Sequence, residues 1–291
     1  ADPNQDVADR SGPGDKLLNL GNPDARKWLT EHVDKLLVEQ GIDLYRQDFN
    51  TDPLDRWRMS DAEDRQGITE IRYVTGYLAY WDELRRRHPG MLIDSCASGG
   101  RRNDLETMRR GVPLLRSDYL LEPVGQQNHT YGISSWYPFY GTGLTREGFY
   151  ESRSGFCPHI TFCYDMRDKK YDFERARKIA KEWQLAAPYM LNGDYYPLTP
   201  FSPTNDVWMG WQFDMPEKGE GLVQAFRRAN CIYRTAEFRL SGLDPEKKYT
   251  VTNLDTGKTS EYHGRTLIEE GLQVEIAARP GAAILIYKVI Q

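Results

Sequence analysis

Helical periodicity, a breaker, a short apolar run and then a polar cluster follow one another three times before residue 120. In the first round Asn22-Pro23-Asp24 supplies a cap with Pro in the first turn, and Trp28, Leu29, Val33, Leu36 and Leu37 recur at helical spacing up to Gly41. The apolar run Ile42 to Tyr45 follows and ends in Arg46-Gln47-Asp48-Phe49-Asn50, as a buried parallel strand does at its C-terminal end. The second round runs from a helix over Ile68 to His88, through Pro89-Gly90 and Met91-Leu92-Ile93, into Asp94-Ser95-Cys96-Ala97-Ser98-Gly99-Gly100. A third has a helix from Asp104 to Arg110 and the run Val112 to Leu115, ending in Arg116-Ser117-Asp118-Tyr119. Weaker strands are expected near Gly132 to Trp136 and Ile160 to Tyr164, then a helix from Phe173 to Ala187. Such alternation predicts a parallel α/β sheet, open or closed as a barrel.

Beyond about Pro197 the texture changes. Pro200, Pro203 and Pro216 mark turns, and alternating runs at Gly221 to Phe226, Tyr249 to Asn253, Leu272 to Ala277 and Ala282 to Val289 read as strands of a small antiparallel β domain. The expected division is therefore residues 1–197 and 198–291, with the opening to about Lys16 a loop or frayed end. A hydrophobic share of 39% against 28% charged suits a folded domain rather than a disordered chain. The net charge of -5 argues against a nucleic-acid partner. No apolar stretch approaches the roughly 20 residues of a membrane span, and no basic-then-apolar leader opens the chain. Cys96, Cys157, Cys163 and Cys231 form no CxxC pair and are too sparse for a disulfide scaffold, so the compartment stays open between cytoplasmic and periplasmic or secreted. With 5 His and no HExxH, and no GxGxxG after the first strand, neither a metal nor a dinucleotide cofactor is expected.

Chemistry is concentrated where the strands end. Asp48 and Asp118 close two of the three apolar runs, and catalytic groups of parallel barrels project from those C-terminal strand ends. An Asp after a strand is more often a turn or helix cap. Two of them on non-adjacent strands, however, provide what glycoside hydrolysis requires: one carboxylate to attack the anomeric carbon, another to protonate the leaving oxygen and then activate water. Asp43, Asp52, Asp94, Asp165 and Asp194 are taken as structural, Asp94 being the most ambiguous.

Three segments, in order, resemble glycoside hydrolase family 36, the α-galactosidase or melibiase family. Tyr45-Arg46-Gln47-Asp48-Phe49-Asn50 is similar to its Lys-Trp-Asp-Met-Asn strand, placing Asp48 at the nucleophile and Asn50 at the family Asn. Cys96-Ala97-Ser98-Gly99-Gly100-Arg101-Arg102-Asn103-Asp104 resembles the Cys-Ser-Gly-Gly-Gly-Gly-Arg-Phe-Asp loop, with Cys96, Gly99, Arg102 and Asp104 on matching positions. Arg116-Ser117-Asp118 is similar to the Trp-Thr-Ser-Asp segment, placing Asp118 at the general acid/base. Asn192 to Leu198 resembles the end of the family barrel, and Gly242-Leu243-Asp244-Pro245 with Tyr249 its C-terminal β-sandwich.

The resemblance implies a (β/α)8 TIM-barrel catalytic domain, of which this chain carries about strands four to eight, followed by the sandwich. It further implies a retaining glycosidase acting on α-galactosides or related sugars, with Arg46, Asn50, Cys96, Gly99, Arg102 and Asp104 binding substrate, and a homo-oligomer. Arg46 and Gln47 stand where the family has Lys and Trp, and Asn103 where it has Phe, so the sugar is the part of the expectation these departures bear on. An inactive sugar-binding relative, or an incomplete piece of the enzyme, is the alternative.

Overall fold

A computed structural model describes residues 16–165 and 167–290, so most of the loop expected at the start lies outside the described residues. The chain divides into two compact units, Ala1–Asp118 and Tyr119–Gln291.

In the first unit, α1 spans Pro23–Gln40, started by Asn22, whose side chain accepts from the Asp24 N–H, and stopped by Gly41 at φ 62°. Next come β1 (Leu44–Asp48), α2 (Leu54–Ser60), α3 (Ile68–Arg87), β2 (Leu92–Cys96) and the short α4 (Leu105–Met108). β1 and β2 pair in parallel, with Arg46 opposite Asp94 and Asp48 opposite Cys96. The strand expected from Ile42 begins two residues later, because the Ile42 N–H is taken by the Leu37 carbonyl in closing α1. It also runs further, so Asp48 is its last residue. The strand expected at Val112 to Leu115 is reduced to one parallel bridge between Asp94 and Val112. Pro113 has no N–H to offer, and the Leu114 N–H goes to the Asp94 side chain instead. Leu37, Tyr73, Tyr77, Tyr80, Trp81, Leu84 and Ile93 form a core between the helices and the strands.

The second unit opens with α5 (Pro123–Ile133), β3 (Gly141–Leu144), α6 (Phe149–Ser154), β4 (His159–Phe162) and α7 (Phe173–Asn192). β3 and β4 pair in parallel. The strand expected at Gly132 to Trp136 is instead the end of α5 and the turn after it. The inward residues of α5 are Val124, Gln126, Gln127, Thr130 and Ile133, so its buried stripe is helical in spacing but more polar than apolar. The true strand, Gly141-Thr142-Gly143-Leu144, is fully buried and carries one large apolar side chain. α7 continues past Pro188 to Asn192, longer than the expected stop at Ala187.

Eight strands and one helix complete the unit: β5 (Asp194–Pro197), β6 (Trp208–Met215), β7 (Glu220–Arg227), β8 (Thr235–Phe238), β9 (Lys248–Asn253), β10 (Thr259–His263), β11 (Leu272–Glu275) and β12 (Gly281–Val289), with the helix α8 (Gly264–Glu269) between β10 and β11. Six strands form one sheet in the order β10-β9-β12-β7-β6-β5, and β11 pairs with β8 apart from it. Val223, Ala225, Val251, Leu285 and Tyr287 of the large sheet share a core with Phe238, Leu272 and Val274 of the small one, the arrangement of a sandwich. Among the described residues no helix is long and apolar enough to cross a membrane.

Candidate active site

Strand parity decides which side chains of β1 face the chemistry. Tyr45 and Gln47 turn toward α3: the Tyr80 hydroxyl donates to the Tyr45 oxygen at 3.0 Å, and the Trp81 indole N–H to the Gln47 Oε1 at 2.7 Å. Arg46 and Asp48 therefore share the opposite face, beside Asp94 and Cys96 of β2. Gln47, where the family has Trp, thus contacts the helix layer and not the face that carries Asp48.

Asp94 is 3% exposed and organises that face. Its Oδ2 accepts from the Arg46 Nη1, and its Oδ1 accepts from the Leu114 N–H at 3.0 Å. Burial, the largest single influence, favours the neutral guanidine, but the bond to Asp94 and the attraction of Asp94, Cys96 and Asp48 together outweigh it and raise the Arg46 pKa. The second guanidinium nitrogen of Arg46 lies 4.0 Å from an Asp48 oxygen, leaving a fixed cation beside the expected nucleophile. Burial pushes the Cys96 thiol up, and its hydrogen bond with Asp48 acts in the same direction, so Cys96 is an uncharged S–H next to that carboxylate.

The glycine loop after β2 connects the remaining parts. The Phe49 N–H donates to the Cys96 carbonyl at 2.8 Å, and the Asn50 Oδ1 accepts from the Ser98 N–H at 2.7 Å. Ser98 (φ 49°) and Gly99 (φ 71°) are both left-handed, and the backbone there passes very close to its neighbour. A Cβ on Gly99 would lie 2.3 Å from the Asp118 nitrogen, and one on Gly100 2.5 Å from the Arg116 carbonyl oxygen. Only a surface without side chains lets the loop carrying Cys96 seat the backbone of Asp118.

Arg102 and Asp104 are placed differently. The Arg102 guanidinium stacks 3.9 Å above the Phe49 ring and 6.0 Å from that of Tyr77, and burial lowers its pKa. With Trp57, Tyr73, Tyr77 and Asp104 it lines an open cavity of about 630 Å³. Both Asp104 oxygens are engaged at the start of α4, with the Thr107 N–H at 3.0 Å and the Thr107 hydroxyl at 2.9 Å. Of the carboxylates taken as structural, Asp165 pairs with Arg167. Sequence reasoning left the tether made by Asp94 ambiguous, and the bond from Asn103 to the Arg116 carbonyl carried no signal. The outward turn of Gln47 was available from strand parity once Asp48 was assigned to the site.

Short parallel strands alternating with helices, followed by an antiparallel sandwich, define the class: part of a TIM-barrel fold with its appended β domain. The family models described as Melibiase and Glycosyl hydrolase family 36 C-terminal domain match residues 4–145 and 208–286. The chain belongs to glycoside hydrolase family 36. It is 26% identical over 282 residues to alpha-galactosidase C of Emericella nidulans, covering 92% of this chain and 36% of that one. To alpha-galactosidase 1 of Pediococcus pentosaceus it is 24% identical over 249 residues, 80% of this chain and 33% of the relative. Among solved structures, the family 36 α-galactosidase AgaA A355E D548N of Geobacillus stearothermophilus in complex with raffinose superposes with a TM-score of 0.80 at 20% identity, covering 97% of this chain and 41% of that one. The α-galactosidase of Lactobacillus brevis superposes with a TM-score of 0.80 at 18% identity over 98% and 41%. This chain thus spans about a third to two fifths of the length of these relatives.

Proposed function

We propose that this chain carries the catalytic carboxylates of a retaining glycoside hydrolase that removes terminal α-galactosyl groups. Asp48 attacks the anomeric carbon while Asp118 gives its proton to the glycosidic oxygen, and the bond to the leaving group breaks. Asp118 then takes a proton from water, whose oxygen displaces Asp48 and releases the sugar with its configuration retained. Arg46, Asn50, Cys96 and Gly99 form the sugar side of this site. Arg102 and Asp104 act through the loop, one stacked on Phe49 and the other capping α4.

The observation that carries this reading is the close seating of the Asp118 backbone on the same glycine loop that follows Cys96, itself in register with Asp48. The relative solved with raffinose supports a galactoside as substrate. Residues 1–197 and 198–291 are proposed as barrel and sandwich portions, with β5 (Asp194–Pro197) the connecting strand that already pairs with β6 of the sandwich, and a homo-oligomer as the assembly.

The test is release of p-nitrophenol from p-nitrophenyl α-galactoside by this chain, alone and extended N-terminally to the length of its relatives, each beside Asp48→Ala. Turnover abolished by Asp48→Ala, by a factor of at least about 10³, is the expected outcome. A parent with no turnover in either form would favour an inactive sugar-binding protein.

A further inference from the structure

We propose that Asn103 is a positioning residue for the general acid, holding Asp118 at the leaving-group oxygen through the backbone of Arg116. The inference rests on the glycosidase reading above and adds to it a residue that the family resemblance does not supply, since Phe stands at this position in the family pattern.

The contacts that seat Asp118 differ in kind. Gly99 against the Asp118 nitrogen and Gly100 against the Arg116 carbonyl are close approaches of bare backbone, which limit how near two segments come without fixing their register. The Asn103 Nδ2 donates to the Arg116 carbonyl oxygen at 3.1 Å, a directional bond two residues before Asp118. Asn103 is itself held on both sides. Its N–H donates to the Gly100 carbonyl at 3.1 Å, closing a turn, and the next residue, Asp104, caps α4 through Thr107. The side chain is therefore a short arm on an anchored base, and a Phe in its place has no donor to offer the carbonyl.

Proton donation matters in proportion to how poor the leaving group is. A displaced acid should slow the cleavage of an alkyl galactoside and leave that of an activated aryl galactoside nearly unchanged. A residue that only stabilises the fold would affect both alike. The experiment compares kcat/KM of the parent, Asn103→Leu and Asp118→Ala on methyl α-galactoside and on 2,4-dinitrophenyl α-galactoside.

For Asn103→Leu we expect a loss of about tenfold or more on the methyl glycoside, the scale of a small misplacement of a catalytic group, and less than about twofold on the dinitrophenyl glycoside. Retained turnover of the latter also reports that the variant is folded. If Asn103→Leu does not fold, Asn103→Ser, which withdraws the amide without adding bulk, is read in the same way. Equal losses on both substrates in a folded variant, or no loss on either, overturn the positioning role. An Asp118→Ala variant that shows no leaving-group dependence overturns instead the assignment of the acid, and this inference with it.

Discussion

Gly99 is where a single atom would do most damage. Alanine there must hold a left-handed backbone, which costs about 1–2 kcal/mol, and its Cβ would meet the Asp118 nitrogen at 2.3 Å. Gly99→Ala is expected to lower the urea midpoint and, separately, to reduce α-galactoside turnover by about tenfold or more through the displaced acid. Parent-like turnover in a destabilised but folded variant would show that the glycine serves the loop and not Asp118. Part of the candidate site at this scale was legible from sequence, because Asp48, Cys96 and Gly99 stand in short local motifs at or just after the ends of β1 and β2, and Asp118 in a third motif that follows no strand. The pairing of Arg46 with Asp94 was not. The two lie 48 residues apart, and only the parallel register of β1 with β2 places them opposite each other.

One row of the large sheet joins three strands without a side chain in the middle. Tyr287 of β12 and Asp214 of β6 are both in register with Gly221 of β7, and a Cβ on Gly221 would lie 2.1 Å from the Tyr287 oxygen. Across that gap the Tyr287 hydroxyl donates to Asp214 and accepts from the Gln212 amide at 2.7 Å. Burial pushes the Asp214 carboxyl up, and the bond from Tyr287 offsets only part of the rise. A carboxyl raised in the folded state contributes stability that is complete below its unfolded pKa and lost as pH rises through the folded value. The stability of Asp214→Asn relative to the parent should therefore increase from about pH 4 to pH 7, checked by urea midpoints at both. A difference that does not change with pH would refute the buried, protonation-linked role. Of this sheet, β7, β9 and β12 were readable as strand runs in the sequence, whereas β6, which carries Asp214, was not. The helix α5 was not, because its inward stripe includes Gln126 and Gln127, whose amides bond to the Gly143 carbonyl at 3.2 Å and to the Ser154 and Tyr150 hydroxyls at 2.9 and 3.1 Å. A polar residue that is satisfied inside gives no hydrophobic periodicity.

Within the second unit, helices and sandwich are joined by a buried cation. Arg153 of α6 bonds Glu182 of α7 at 2.5 and 2.9 Å, Asp255 after β9 at 2.5 and 3.0 Å, and the Ala282 carbonyl of β12 at 2.7 Å. Removing the arginine leaves Glu182, 13% exposed, without its counter-charge. Arg153→Met is expected to cost about 3 kcal/mol, at the lower end for a broken buried pair because Asp255 stays partly solvated, and to lower the Tm. An unchanged Tm would mean that the sheet and helices hold together without it. At the scale of the whole chain, the sequence by itself determined the alternation of helix and short parallel strand, the later antiparallel runs that became β7, β9, β11 and β12, and Asp48 at the end of β1. Those properties are written in neighbouring residues, as periodicity, breakers and glycine motifs. Tertiary structure alone decided which polar groups meet: Arg46 with Asp94, Asn103 with the Arg116 carbonyl, Arg153 with Glu182 and Asp255. A hydrogen bond or ion pair depends on positions brought together from distant parts of the chain, and on the burial that makes an unmade bond costly, and neither is a property of a local stretch.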